Sequence, residues 1–164
     1  MFHRIPQIVS AACLGLALVA APALAETPAP GPDGLIKVRS VYSVDETIAR
    51  IKTDIAAKGI MFFMAVDQAK LAADAGITLR PSTLLVFGNP PLGAQFLTSN
   101  PYSGLDWPVR VLVLQQADGS VWVAWTDFAW IARRHHIADR QQQFAMATSV
   151  VPSLPDLTCC GSSR

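Results

Sequence analysis

Histidine and cysteine, the side chains that most often hold metals or carry thiol chemistry, are scarce here, with three of each in the chain. A closed four-ligand metal framework has little to draw on. Cys13 lies in an N-terminal apolar run, which leaves Cys159 and Cys160 next to each other near the C-terminus. Adjacent Cα atoms are about 3.8 Å apart, short of the usual disulfide span of roughly 4.4–6.8 Å, so a bridge between the two is strained. With no further cysteine beside them, no disulfide framework is available to the domain. An excess of one charge is missing as well. Thirteen Lys and Arg against twelve Asp and Glu leave no basic field for nucleic acid or for an anionic membrane surface. The nucleophile elbow, the zinc-binding helix motif, the phosphate loop and the dinucleotide fingerprint are all absent, so no cofactor is implied and an enzyme is disfavoured.

What is present begins with an address. His3 and Arg4 precede the apolar run Ile8 to Val19, and Ala23-Leu24-Ala25 is a small-x-small cleavage site. The pattern predicts a cleaved signal peptide over residues 1–25 and export to the periplasm or beyond. Pro22 and the small residues end the apolar run early for a membrane span, so no membrane partner is expected after cleavage. Residues 26–34 read as a stiff Pro-rich linker, 35–151 as a single domain, and 152–164 as a flexible Ser- and Gly-containing tail.

The domain is organised around Gly104 to His136. Val109 to Gln116 and Val121 to Thr126 are β-branched and aromatic, and Asp118-Gly119 between them supplies a tight turn. Val109, Val111 and Val113 fall on one face of the first strand, Leu112 and Leu114 on the other. A strand apolar on both faces is expected to be covered on both, by helices or by a partner chain. Upstream, Leu35 to Tyr42 alternates as a strand with one wet face. Ser43 to Glu46 then forms a capping box for a helix whose stripe is Val44, Ile48, Ile51 and Ile55, closed by Gly59. Ile60 to Val66 and Thr83 to Phe87 read as strands on either side of a short helix, Gln68 to Ala75, capped by Asp67. Asn89 with Pro90 opens a helix through Leu92 to Leu97. Asp127 caps Phe128 to His136, and a last helix runs from Arg140 to Val150. The order β-α-β-α-β-α-β-β-α-α has too much hairpin for a doubly wound sheet and predicts an α+β fold.

Three blocks carry a family resemblance. They are Leu79-x-Pro81-x-x-Leu84-Leu85-x-Phe87-Gly88-Asn89-Pro90, then Gly104-Leu105-Asp106-x-Pro108-x-Arg110-Val111-Leu112-Val113, then Asp118-Gly119-x-Val121-Trp122-Val123 followed by Arg134-His135. Together they resemble the bacterial family of unknown function numbered 302, over most of Leu35 to Val150. The resemblance implies a TBP-like α+β domain, an antiparallel sheet with helices on one side, often dimeric, with no established activity. Two positions depart from the family pattern. Asp67-Gln68 stands where Asp-His is common, which removes an imidazole that could titrate or ligate. Phe128 stands where Pro is frequent in the first helical turn.

Candidate sites follow from these blocks. The Gly88-Asn89 turn could cradle an anion, but Pro90 and Pro91 delete amide donors and a structural turn is favoured. Asp106 and Arg110 share a face if both lie in the strand, and read first as an ion pair fixing strand entry. His135 lies on the apolar helix face and is expected to bond a carbonyl or Asp67. His135 and His136 diverge by about 100° and do not chelate one ion easily. Trp122 and Trp125 face opposite sides of their strand, so one enters the core and the other meets a helix, a partner or a ligand. The expected function is a non-catalytic binding or interaction module acting as a homodimer, with a small-molecule ligand possible. The alternative is a periplasmic redox or metal-handling protein using Cys159, Cys160 and His135.

Overall fold

The computed structural model describes residues 29–150. The stretch read as a signal peptide, linker residues 26–28, and the C-terminal stretch with Cys159 and Cys160 lie outside the described residues. In chain order the elements are β1 (Leu35–Ser40), α1 (Val44–Ala57), β2 (Met61–Asp67), α2 (Gln68–Asp74), β3 (Ser82–Gly88) and α3 (Pro90–Ser99). A 3-10 turn (Pro101–Leu105) leads to β4 (Val109–Gln115), β5 (Val121–Thr126), α4 (Phe128–Arg134) and α5 (Gln141–Val150). The expected order stands, and the 3-10 turn is the added element.

All five strands pair antiparallel in the order β1-β5-β4-β3-β2, which places β4 in the middle. The register fixes two faces. Val111 opposes Trp125 and Leu85, and Val113 opposes Val123 and Thr83. Val111, Val113, Val123 and Leu85 have no exposed surface, so this inner face is the core. Ile51 and Ile55 of α1, Phe96 of α3, Phe128 and Ile131 of α4 and Phe144 of α5 pack against it. Each such side chain contributes roughly 1.5–3 kcal/mol by leaving water, so the inner face carries the fold. The opposite, outer face holds Leu84, Val86, Leu112, Leu114 and Trp122, all half-buried. The strands are thus apolar on both faces as expected, but the described helices bury their side chains on one face only. That agrees with a sheet with helices on one side.

Local signals explain most boundaries. Ser43 accepts the Glu46 amide at 3.3 Å, as expected of a capping residue. The Glu46 carboxylate turns forward to Arg50 at 2.9 Å, so only half of the expected box forms. Asp67, Asn89 and Asp127 cap α2, α3 and α4 by accepting the amides of Lys70, Leu92 and Trp130. Helix α4 stops at Arg134 rather than His136, because His136 takes a left-handed φ of 52°. The His136 and Ile137 amides then close on the Arg133 and Ala132 carbonyls, and Ile137 is buried.

Candidate functional site

The polar centre of the molecule is Asp106. The 3-10 turn ends on it, with its amide on the Ser103 carbonyl at 2.9 Å, so the carboxylate is delivered beneath the start of β4. Its side chain is 3% exposed. Arg110 Nη2 donates to Oδ1 at 2.8 Å, and Arg134 Nη1 reaches both oxygens at 3.3 and 3.2 Å. His135 Nε2 lies 2.6 Å from Oδ2, and His135 is itself buried. A buried carboxylate is costly unless it is paired and hydrogen-bonded. Here three neighbours from β4 and the end of α4 surround it. The arginines are about half exposed and carry their remaining donors outward.

Asn100 ties the two segments that meet at this carboxylate. Its side-chain amide donates to the His135 carbonyl at 2.8 Å, and its Oδ1 accepts the Tyr102 amide at 3.0 Å. Arg134 also lies over the Trp130 ring at 5.4 Å, and Trp130 packs against Gly34. A stack of aromatic rings stands nearby. Trp107 lies parallel to Phe96 at 4.4 Å and near-parallel to Phe128 at 5.6 Å. The Trp107 Nε1 and Ser103 Oγ atoms are buried without a partner among the described residues.

The structure brings Asp106, Arg110 and His135 together and leaves the other candidates elsewhere. Asp106 and Arg110 pair as expected, although Asp106 sits in the turn and not in the strand. His135 meets Asp106, and the expectation that it bonds a carbonyl or Asp67 does not hold for its ring. Asp67 caps α2 at the edge strand β2, and Gln68 accepts from Ser82 Oγ at 2.7 Å. Gly88 and Asn89 line a cavity of about 600 Å³ with Phe87, Leu92, Trp107 and Met146. That volume lies within the roughly 300–1,000 Å³ of small-molecule sites. Trp125 enters the core and Trp122 lies on the outer face. The Trp122 Nε1 donates to Ser120 Oγ at 2.8 Å, and that hydroxyl donates to Asp118 at 2.6 Å. The Ser120 hydroxyl and amide hold the exposed Asp118 carboxyl below its usual range. Trp122 lines a second, shallow cavity of about 570 Å³ with Leu112, Leu114 and Lys37. No group of three or more His, Cys, Asp or Glu suited to a metal occurs among the described residues.

Arg134 and Asn100 escaped the sequence reading as site residues. Arg134 had a signal, since it adjoins His135 in the third block. Asn100 had none, because its role depends on a contact 35 positions away.

The family model for the domain of unknown function DUF302 matches residues 36–151. The chain belongs to the DUF302 family. The crystal structure of an uncharacterized conserved DUF302 protein from Bacillus stearothermophilus superposes with a TM-score of 0.67. It is 16% identical, and the match covers 74% of this chain and 94% of that one, which speaks for the fold alone. Among curated proteins, the fluoride-specific ion channel FluC 1 of Brucella suis biovar 1 (strain 1330) is 38% identical over 104 residues. The match covers 63% of this chain and 41% of that protein. FluC 1 of Brucella abortus biovar 1 (strain 9-941) is likewise 38% identical over 104 residues, with 63% and 38% covered. The chain therefore spans about two fifths of the length of these curated relatives. No helix among the described residues is long and apolar enough to cross a membrane.

Proposed function

We propose that this DUF302 domain is an exported, non-catalytic binding and interaction module that acts as a homodimer. The observation that carries the reading is the state of the Asp106 cluster. Both carboxylate oxygens are engaged, and the one imidazole at the site is turned onto them and buried. A general base needs a free lone pair within reach of a substrate proton. A carboxylate with this many donors serves instead to lock the turn before β4 to the end of α4. The relatives support the word module, since a matching segment of 104 residues sits inside a longer Brucella protein. Export is argued from the N-terminal pattern alone.

The redox or metal reading through Cys159, Cys160 and His135 has less support. The His135 Nε2 is already spent on Asp106, which leaves a single ring nitrogen for an ion. Native mass spectrometry of protein taken from the export compartment tests the proposal. It is expected to give two chains and no metal. A strictly single-chain species carrying a stoichiometric metal ion would refute it.

A further inference from the structure

We propose that Arg110 and Arg134 together form a binding site for a small organic oxyanion, a ligand that presents a carboxylate or a phosphate group. This rests on the binding-module reading above and names the ligand class, with Asp106 as the buried anchor of the two cations.

Each arginine spends only part of its donor set on Asp106. Arg134 uses Nη1 alone, shared between the two carboxylate oxygens, and its Nε and Nη2 bond no other group among the described residues. Those two nitrogens carry the parallel N–H pair along the side of the guanidinium, the edge that takes a carboxylate or a phosphate bidentately. Arg110 uses Nη2 alone and keeps Nε and Nη1 in the same way. Both side chains are about half exposed, so a ligand can approach them from solvent. The two groups are also close. Both bond Oδ1 of Asp106, at 2.8 and 3.3 Å, so their nitrogens are no farther apart than those two bonds laid end to end.

Charge calls for a further anion. Among the described residues Asp106 is the one carboxylate that pairs with either arginine, so two positive charges share one negative. Asp127, the other acid at α4, caps the opposite end of that helix and lies 4.0 Å from Arg133. An anion set across Arg110 and Arg134 relieves the repulsion between them and gains a charge-assisted bond from each. Order is supplied in advance. Arg134 is held by Asp106 and lies over the Trp130 ring at 5.4 Å, while Asp106 is fixed by the 3-10 turn that ends on it. Less side-chain freedom is therefore lost when a ligand arrives. Trp130 also sets an aromatic surface beside the fork, which suits an anion carried on a ring. The cavity at Gly88 and Asn89 offers no such pair of cations, since its one lysine, Lys58, bonds Asp54 at 2.6 Å.

Isothermal titration calorimetry with phenyl phosphate and with benzoate tests the site, comparing wild type, Arg110→Gln, Arg134→Gln, Arg134→Lys and the neighbouring Arg133→Gln. Far-ultraviolet circular dichroism checks that each is folded. Wild type and Arg133→Gln are expected to bind at least one probe saturably, and the tighter probe tells phosphate from carboxylate. Arg110→Gln and Arg134→Gln are expected to bind it about tenfold or more weakly, the loss of one charge-assisted bond. Arg134→Lys keeps the charge without the fork and is expected to weaken binding too. Should Arg134→Gln fail to fold, Arg110→Gln and Arg134→Lys decide the matter. The site is overturned, and the module reading left standing, by a wild type that saturates with neither probe. Wild-type affinity in folded Arg110→Gln, Arg134→Gln or Arg134→Lys, or an equal loss in Arg133→Gln, has the same consequence. Release of phenol from phenyl phosphate overturns the non-catalytic reading and the proposal with it.

Discussion

Asp106 shows how one residue ties together segments far apart in sequence. Removing its carboxylate leaves a buried imidazole and two guanidinium groups without their common acceptor, so Asp106→Ala is expected to cost about 3 kcal/mol, measured by urea unfolding. Arg110→Ala is expected to cost less than about 1 kcal/mol by the same measurement, because the arginine is half exposed and its pair with Asp106 is partly screened. His136 is a different case. Its left-handed φ of 52° suits glycine, and relief of that conformation makes His136→Gly more stable by about 1 kcal/mol, read as a rise in the urea midpoint. At this scale the sequence pointed to Asp106, Arg110 and His135 separately. Their meeting was not legible, because it depends on the 3-10 turn that brings position 106 to position 135, and nothing periodic marks that turn.

The β4–β5 hairpin shows what an element adds to its residues. Asp118 holds Ser120, and Ser120 holds the Trp122 indole, so the turn sets the pose of an outer-face side chain. The Asp118 pKa is lowered from 3.8, first by the Ser120 hydroxyl and then by its amide. A carboxyl with a depressed folded pKa stabilises the fold above its unfolded pKa, and that contribution is lost as pH falls through the folded value. The Trp122 contribution to fluorescence, isolated by difference from Trp122→Phe, is therefore expected to hold through pH 3.8 and change only at lower pH. In Ser120→Ala the link from Asp118 to the indole is cut, and this pH-dependent change is expected to disappear. The strands, the turn and most helix starts were legible here, since alternation, Asp-Gly and capping side chains act over a few residues. The end of α4 was set by His136, a position at which no sequence rule demands a left-handed residue.

Across the whole molecule, the apolar character of Leu112 and Leu114 was plain in the sequence, and so was the demand that something cover them. The sequence could not say that α1, α3, α4 and α5 all bury their apolar residues on the other side, since that choice is made by the connections and not by any strand. We propose accordingly that two copies of this domain, not one, are the working unit, held by surfaces without reaction chemistry. Light scattering on the purified protein after size-exclusion chromatography, repeated over a hundredfold range of concentration, tests it most directly. A two-chain mass that yields to single chains only on dilution is the predicted result, and a single-chain mass throughout would contradict it.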